Sequence, residues 1–199
     1  AKAAAPAPAP APSIKKDKVQ SGLAKGAIRA AQDGLPVFSI SADVQGSTGI
    51  SGFQKSLPDR WLEMGIAEAN MISVGAGFAK AGYLPVVDTF AQFGITKGNL
   101  PLTMAALSQA PVTAIFSHVG LQDAADGASH QATTYFAAVS AIPHTVVIAP
   151  SCADEAEALM YEALRRQAAE RSAGKDGESY IFFVGRENYP LTWVEGAAF

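Results

Sequence analysis

Residues 60–90 read RWLEMGIAEANMISVGAGFAKAGYLPVVDTF, and the fold turns on them. Arg60–Met64 has the apolar, aromatic character of a short strand. Glu68–Gly82 follows with helical periodicity, and Tyr83–Asp88 is a β-branched apolar run of strand length. Strand, helix and strand in that order form a βαβ unit, which requires parallel pairing. Ala67, Ala69, Gly75, Ala76 and Gly77 give the middle segment small side chains, suited to close backbone packing.

The same alternation extends in both directions. Val19, Leu23, Ala27 and Ile28 recur at helical spacing, and Gly34 stops that helix. Val37–Ser41, Val112–Ser117, Thr145–Ala149 and Tyr180–Val184 read as further strands, each an unbroken apolar run of the kind buried on both faces. Phe90–Ser108, Gln131–Ile142 and Ala153–Ser172 read as the helices between them. The expected architecture is α/β: a doubly wound, mostly parallel sheet of about six strands with helices on both faces.

Composition bounds the function. The chain has 199 residues, 49% of them hydrophobic and only 17% charged, with a net charge of −3. Such a chain can bury a sizeable core. It has too little positive charge to bind nucleic acid through the phosphate backbone. No apolar run approaches the length of a membrane span. The single cysteine, Cys152, excludes an internal disulfide framework, so a reducing, cytoplasmic setting is expected. The head, AKAAAPAPAPAP, holds four of the twelve prolines and reads as a stiff linker or tail over residues 1–14. It lacks the Leu-rich core of a signal peptide. The folded domain is expected over 15–190, with a C-terminal extension over 191–199.

In doubly wound sheets, ligands gather at the C-terminal ends of the strands. Asp43 and Ser47, Thr89 and Phe90, the stretch His118–His130, Ser151 and Arg186 fall there. Glu68 stands at a strand-to-helix junction in a segment poor in charge. A carboxylate in such surroundings has a raised pKa and can donate a proton, although a helix N-terminus also favours an acid for its dipole alone. The loop from Ser117 to Gln131 carries two of the three histidines with Asp123 and Asp126. Proton transfer, hydroxyl recognition and metal ligation all suit that loop. The spacing of His118, Asp123, Asp126 and His130 matches no standard ligand set, however, and no metal is expected. His144 reads as a surface loop residue. Phe90 and Phe93, three apart, share a face, as core or as a wall for a flat heterocycle. Two motifs mislead. GAGFAKAG (75–82) lies within a helical pattern and not after a strand, so it is no dinucleotide loop. Ser117 beside His118 lacks the Gly-x-Ser-x-Gly elbow of a nucleophile.

Taken in order, these pieces resemble the pyrimidine-binding domain of thiamine-diphosphate enzymes, nearest to the transketolase and 1-deoxyxylulose-5-phosphate synthase group. The likeness runs from about Lys18 to Tyr189. Gly65-Ile66-Ala67-Glu68 with Met71 is similar to that family's GIAEQNM, and Ser73-Val74-Gly75-Ala76-Gly77-Phe78 to the run that follows. Asp126-Gly127-Ala128-Ser129-His130-Gln131 is similar to DGPTHQ. Phe90-Ala91-Gln92-Phe93 is similar to its F-x-x-F platform, with Thr96 where a further aromatic is usual. Ile142-Pro143, Pro150 and Glu155 resemble the next strand and helix start, and Gly185-Arg186-Glu187-Asn188 resembles the closing strand.

The resemblance implies roles. Glu68 would be the acid that hydrogen-bonds the pyrimidine ring of thiamine diphosphate, so that the cofactor's own amino group can serve as base. Phe90 and Phe93 would flank that ring, and Asp43 would lie near the cofactor. His130, with a catalytic part, and Asp126 would contact donor-sugar hydroxyls. His118, Ser47 and Arg186 would hold a sugar phosphate, and a guanidinium suits phosphate. The reaction implied is transfer of a two-carbon ketol unit between sugar phosphates. The family's Gly-Asp-Gly and Asn-Asn motifs, which hold the diphosphate and Mg²⁺, do not occur in this sequence. The cofactor's diphosphate and Mg²⁺ are therefore expected on a partner diphosphate-binding domain or subunit, within a homo- or hetero-oligomer, and this chain is expected to be one part of a split, cleaved or excised enzyme. A 1-deoxyxylulose-5-phosphate synthase and the β chain of a 2-oxo-acid dehydrogenase are alternatives. A non-catalytic assembly or regulatory module is an alternative of another class.

Overall fold

The structure is a computed structural model that describes residues 14–193. Nearly all of the expected 1–14 linker and most of the 191–199 extension lie outside the described residues. Six strands form one sheet: β2 (Val37–Ser41), β3 (Trp61–Glu63), β4 (Leu84–Phe90), β5 (Thr113–Ser117), β6 (Thr145–Ile148) and β7 (Ser179–Phe183). Their order is β3-β2-β4-β5-β7-β6, and every pairing is parallel. β1 (Lys16–Lys18) and β8 (Asn188–Pro190) make a separate antiparallel pair.

Helices cover both faces because the strands are apolar on both faces. Against one face lie α1 (Val19–Gln32), α3 (Ser51–Ser56) and α8 (Ala153–Ser172), with a core that includes Leu23, Phe53, Ile115, Met160 and Phe182. Against the other lie α4 (Glu68–Lys80), α5 (Ala91–Thr96), α6 (Asn99–Leu107) and α7 (Tyr135–Val139), around Ile40, Met71, Val87, Phe116 and Phe183. α2 (Gln45–Thr48) is a single turn after β2. No helix among the described residues is long and apolar enough to cross a membrane.

The structure departs from the sequence expectations in three places. The helix expected over Phe90–Ser108 is two helices, with Phe90 the last residue of β4. The break falls at Gly98, where a side chain would strike the Gly94 carbonyl and Ile72. Pro101 then sits in the first turn of α6, where its missing N–H costs nothing. The helix expected over Gln131–Ile142 shrinks to α7, since Ala132 instead bridges Val119 beside the sheet. Gly185–Glu187 is a loop and not a closing strand, and only Asn188 enters β8.

α1 and α8 pack closely through glycines. A Cβ at Gly22 would collide with the Ala153 carbonyl, and one at Gly26 would lie 2.9 Å from the Met160 Cβ. Gly22→Ala should therefore destabilise the chain by about 1–3 kcal/mol despite alanine's better helix propensity. A urea unfolding midpoint at or above that of wild type would contradict this packing.

Candidate active site

The C-terminal edge of the sheet turns polar at one row. Glu63, Ser41 and Asp88 stand side by side on β3, β2 and β4. Glu63 Oε1 accepts the backbone N–H groups of Asp43 and Gly65, both at 2.8 Å. It thereby joins the turn after β2 to the turn that leads into α4. Asp43 has φ +59 and Gly65 φ +67, the left-handed geometry that such sharp exits demand. The Ala67 N–H then bonds the Gly65 carbonyl at 2.7 Å, and α4 begins with Glu68.

These turns open a groove of about 430 Å³ between β2 and β4. Ala42, Asp43 and Val44 line it from β2, and Ile66 and Glu68 from the start of α4. Thr89, Phe90, Phe93 and Lys97 come from β4 and α5, with His130 above. The position is the strand-order switch where doubly wound sheets bind ligands. Glu68 is buried, only 9% exposed, at the positive end of α4.

Four rings form one cluster. Phe90 and Phe93 lie nearly parallel, their centroids 6.5 Å apart and their planes at 26°. His130 meets Phe93 edge-on at 4.9 Å. His118 packs on Phe90 at 4.1 Å, and the Ser117 hydroxyl stands 2.8 Å from its Nδ1. Burial holds His118 below the usual imidazole range, against the opposing pull of Asp123. It is the neutral imidazole that faces the ring cluster at pH 7. Ser117 is fully buried, with its hydroxyl turned to His118.

The structure thus brings Glu68, Asp43, Phe90, Phe93 and His130 into one groove, with His118 against its aromatic wall. Ser47 sits exposed on α2, outside the groove lining. Asp126 is exposed on its loop, and its charge acts on His118. Arg186 is ion-paired to Asp123, which is completely buried. It lines a second hollow of about 430 Å³ with Lys18, Gln122 and Asn188. Gln122 Oε1 accepts the Arg186 N–H, and its amide donates to the Tyr189 hydroxyl, which fixes the rim. Among the described residues, no three His, Cys, Asp or Glu side chains stand close enough to hold a metal ion.

Sequence reasoning missed Lys18, Glu63, Asp88 and Lys97. For Glu63 and Asp88 a signal existed: each is an acid closing an apolar strand run, WLE and VVD, where burial forces a structural use. Asp88 is fully buried, and desolvation pushes its carboxyl up to about 7. The Thr48 and Ser41 hydroxyls pull it back down, while the Glu63 charge adds to the rise. At Thr96 the hydroxyl turns back to the Gln92 carbonyl at 2.7 Å, and the next side chain, Lys97, lines the groove instead.

The groove can grip the pyrimidine end of thiamine diphosphate. Two near-parallel aromatic rings suit a flat heterocycle, and a buried carboxyl suits a ring nitrogen.

Comparisons with known proteins identify the family. Residues 18–174 match the family described as transketolase, pyrimidine binding domain. The chain belongs to this family. A putative transketolase C-terminal section from Methanocaldococcus jannaschii is 32% identical over 143 residues, which is 69% of this chain and 45% of that protein. A 1-deoxy-D-xylulose-5-phosphate synthase from Symbiobacterium thermophilum is 36% identical over 128 residues, 64% of this chain and 19% of that protein. Human transketolase-like protein 2 is 33% identical over 156 residues, covering 78% of this chain and 25% of its own length. The chain therefore spans less than half the length of each of these relatives. Among solved structures, a split gene transketolase, described as an inactive β4 tetramer, superposes with a TM-score of 0.74 at 25% identity. It covers 92% of this chain, and the match spans 56% of that chain. This pyrimidine-binding domain shares the sheet and the helices on both its faces with that structure.

The Arg186–Asp123 pair yields a stability prediction. Arg186→Ala leaves a buried carboxylate unpaired and should cost about 3 kcal/mol. Adding Asp123→Asn should recover much of the loss in urea unfolding. Equal stability of wild type and Arg186→Ala would show that the pair does not matter.

Proposed function

We propose that this chain is the pyrimidine-domain part of a transketolase-like enzyme, which transfers a two-carbon ketol unit between sugar phosphates. The observation that carries the proposal is Glu68, buried at the start of α4 and opening on the same groove as Phe90, Phe93 and His130. When bound, thiamine diphosphate supplies the carbon that accepts and passes on the two-carbon unit. The chain's own residues do the rest. The Glu68 carboxyl holds a proton at N1′ of the pyrimidine ring. Phe90 and Phe93 clasp that ring and exclude water from it, and Asp43 bounds its edge. His130, with Asp126, orients the donor hydroxyls and moves protons there. Arg186 and Lys18, in their shared hollow, meet the sugar phosphate, assisted by His118 and Ser47.

A partner diphosphate-binding domain or subunit would complete the site and hold Mg²⁺ with the diphosphate. Two neighbours support this reading: one is described as a C-terminal section, the other as an inactive tetramer of a split gene enzyme. A second reading within the family is 1-deoxyxylulose-5-phosphate synthase chemistry, favoured by the 36% identity to such an enzyme. Release of CO₂ from pyruvate by the reconstituted complex separates the two.

With the partner present, Glu68→Ala should lower kcat by at least about a hundredfold, the scale of a lost general acid–base contribution. Retention of full activity by Glu68→Ala would overturn the proposal.

A further inference from the structure

The groove's β2 side is carried by one short segment, Ser41–Thr48, which includes Asp43 and Ser47. That segment is held by two carboxylates from the flanking strands. From β3, Glu63 Oε1 takes the Asp43 N–H at 2.8 Å. From β4, Asp88 Oδ2 takes the Ser41 hydroxyl at 2.9 Å and the Thr48 hydroxyl at 2.6 Å. Ser41 and Thr48 are the two ends of the segment, so one oxygen atom ties both. Asp88 is fully buried, and its Oδ1 has no partner among the described residues; nor has Glu63 Oε2. A buried ionisable group is a costly means of fastening a turn. A serine or threonine would be cheaper, which argues for a use of the charge.

We propose that Asp88 is a positioning residue of the active groove, whose carboxyl clamps the Ser41–Thr48 segment to the strand that ends in Phe90. The proposal rests on the function proposed above for its catalytic consequence, but the clamp itself is a property of the chain. β4 carries Asp88 and Phe90 two residues apart on one rigid strand. The clamp therefore sets Asp43 and Ser47 in a constant place relative to the aromatic platform. The two hydroxyl hydrogen bonds favour the carboxylate, while burial favours the protonated acid and is the larger effect. The groups facing Asp88 are hydroxyls from β2 and α2 and the Glu63 carboxylate from β3. Glu63, as a like charge, favours the protonated form.

The test has two arms. In the first, amide-exchange protection at Ser47, Thr48 and Gly49 is measured on the full chain. Asp88→Asn and the isosteric Thr48→Val should be about tenfold less protected than wild type. Protection equal to wild type in both variants overturns the clamp. If Asp88→Asn does not fold, Thr48→Val alone decides, since it leaves the carboxylate in place.

In the second arm, the complex with the diphosphate-binding partner is assayed with a ketopentose phosphate donor and an aldopentose phosphate acceptor. Both variants should raise the donor KM several-fold more than they lower kcat. An active wild-type complex whose variants keep the donor KM overturns the positioning role. A wild-type complex that neither binds thiamine diphosphate nor turns over sinks the functional reading, while the exchange arm still decides the clamp.

Discussion

A parallel sheet covered by helices on both faces leaves one place for polar chemistry, the edge where the strands end and the chain turns. Everything else in this protein depends on that constraint. Because all six strands run the same way, Ser41, Glu63, Phe90 and Ser117 reach the same edge. There the backbone must leave the ladder, and its freed N–H groups need partners. Glu63 supplies one oxygen to two of them. The carboxylate that satisfies the turns also decides where Asp43 and Glu68 stand. At this edge, structural satisfaction and site geometry are one problem.

Phe90 is where the two halves of the groove meet. It ends β4, caps α5, and carries Phe93 on one side and His118 on the other. His118 holds φ +62, a left-handed conformation that costs an L-residue about 1 kcal/mol. That strain is offset by burial against Phe90 and the contact with Ser117. The loop that follows folds back so that His130 returns to Phe93. The eleven residues between His118 and His130 are thus anchored at both ends on one aromatic platform.

The sheet was legible in the sequence because buried parallel strands must be continuous apolar runs, and Val37–Ser41 or Ala153–Ser172 could be read to the residue. The breaks were not legible to the same degree. Between α5 and α6 only glycine fits at Gly98, because the Gly94 carbonyl and Ile72 crowd it, and no local pattern reports that crowding. Residues 131–134 have helical composition but are drawn toward Val119. Of the groove lining, Glu68, Phe90, Phe93, Asp43 and His130 were named in the sequence from residue type, position and the family resemblance. Lys97 was not, because only the turn of α5 swings it into the groove in place of Thr96. Arg186 was expected to hold a sugar phosphate, and its ion pair with Asp123, a loop residue 63 positions away, was not foreseen.

By itself, the sequence determined the parallel α/β class, the strand ends at which chemistry would gather, and the residue types available there. Periodicity, turn residues and charge are local properties, and they survive in one dimension. The tertiary structure alone decided which of those residues share a groove. Only folding set Glu63 and Asp88 on either side of Ser41, closed Asp123 over by Arg186, and left Ser47 on an exposed turn. The reason is physical: burial, and the pairing of polar groups that burial compels, depend on strand neighbours distant in the chain.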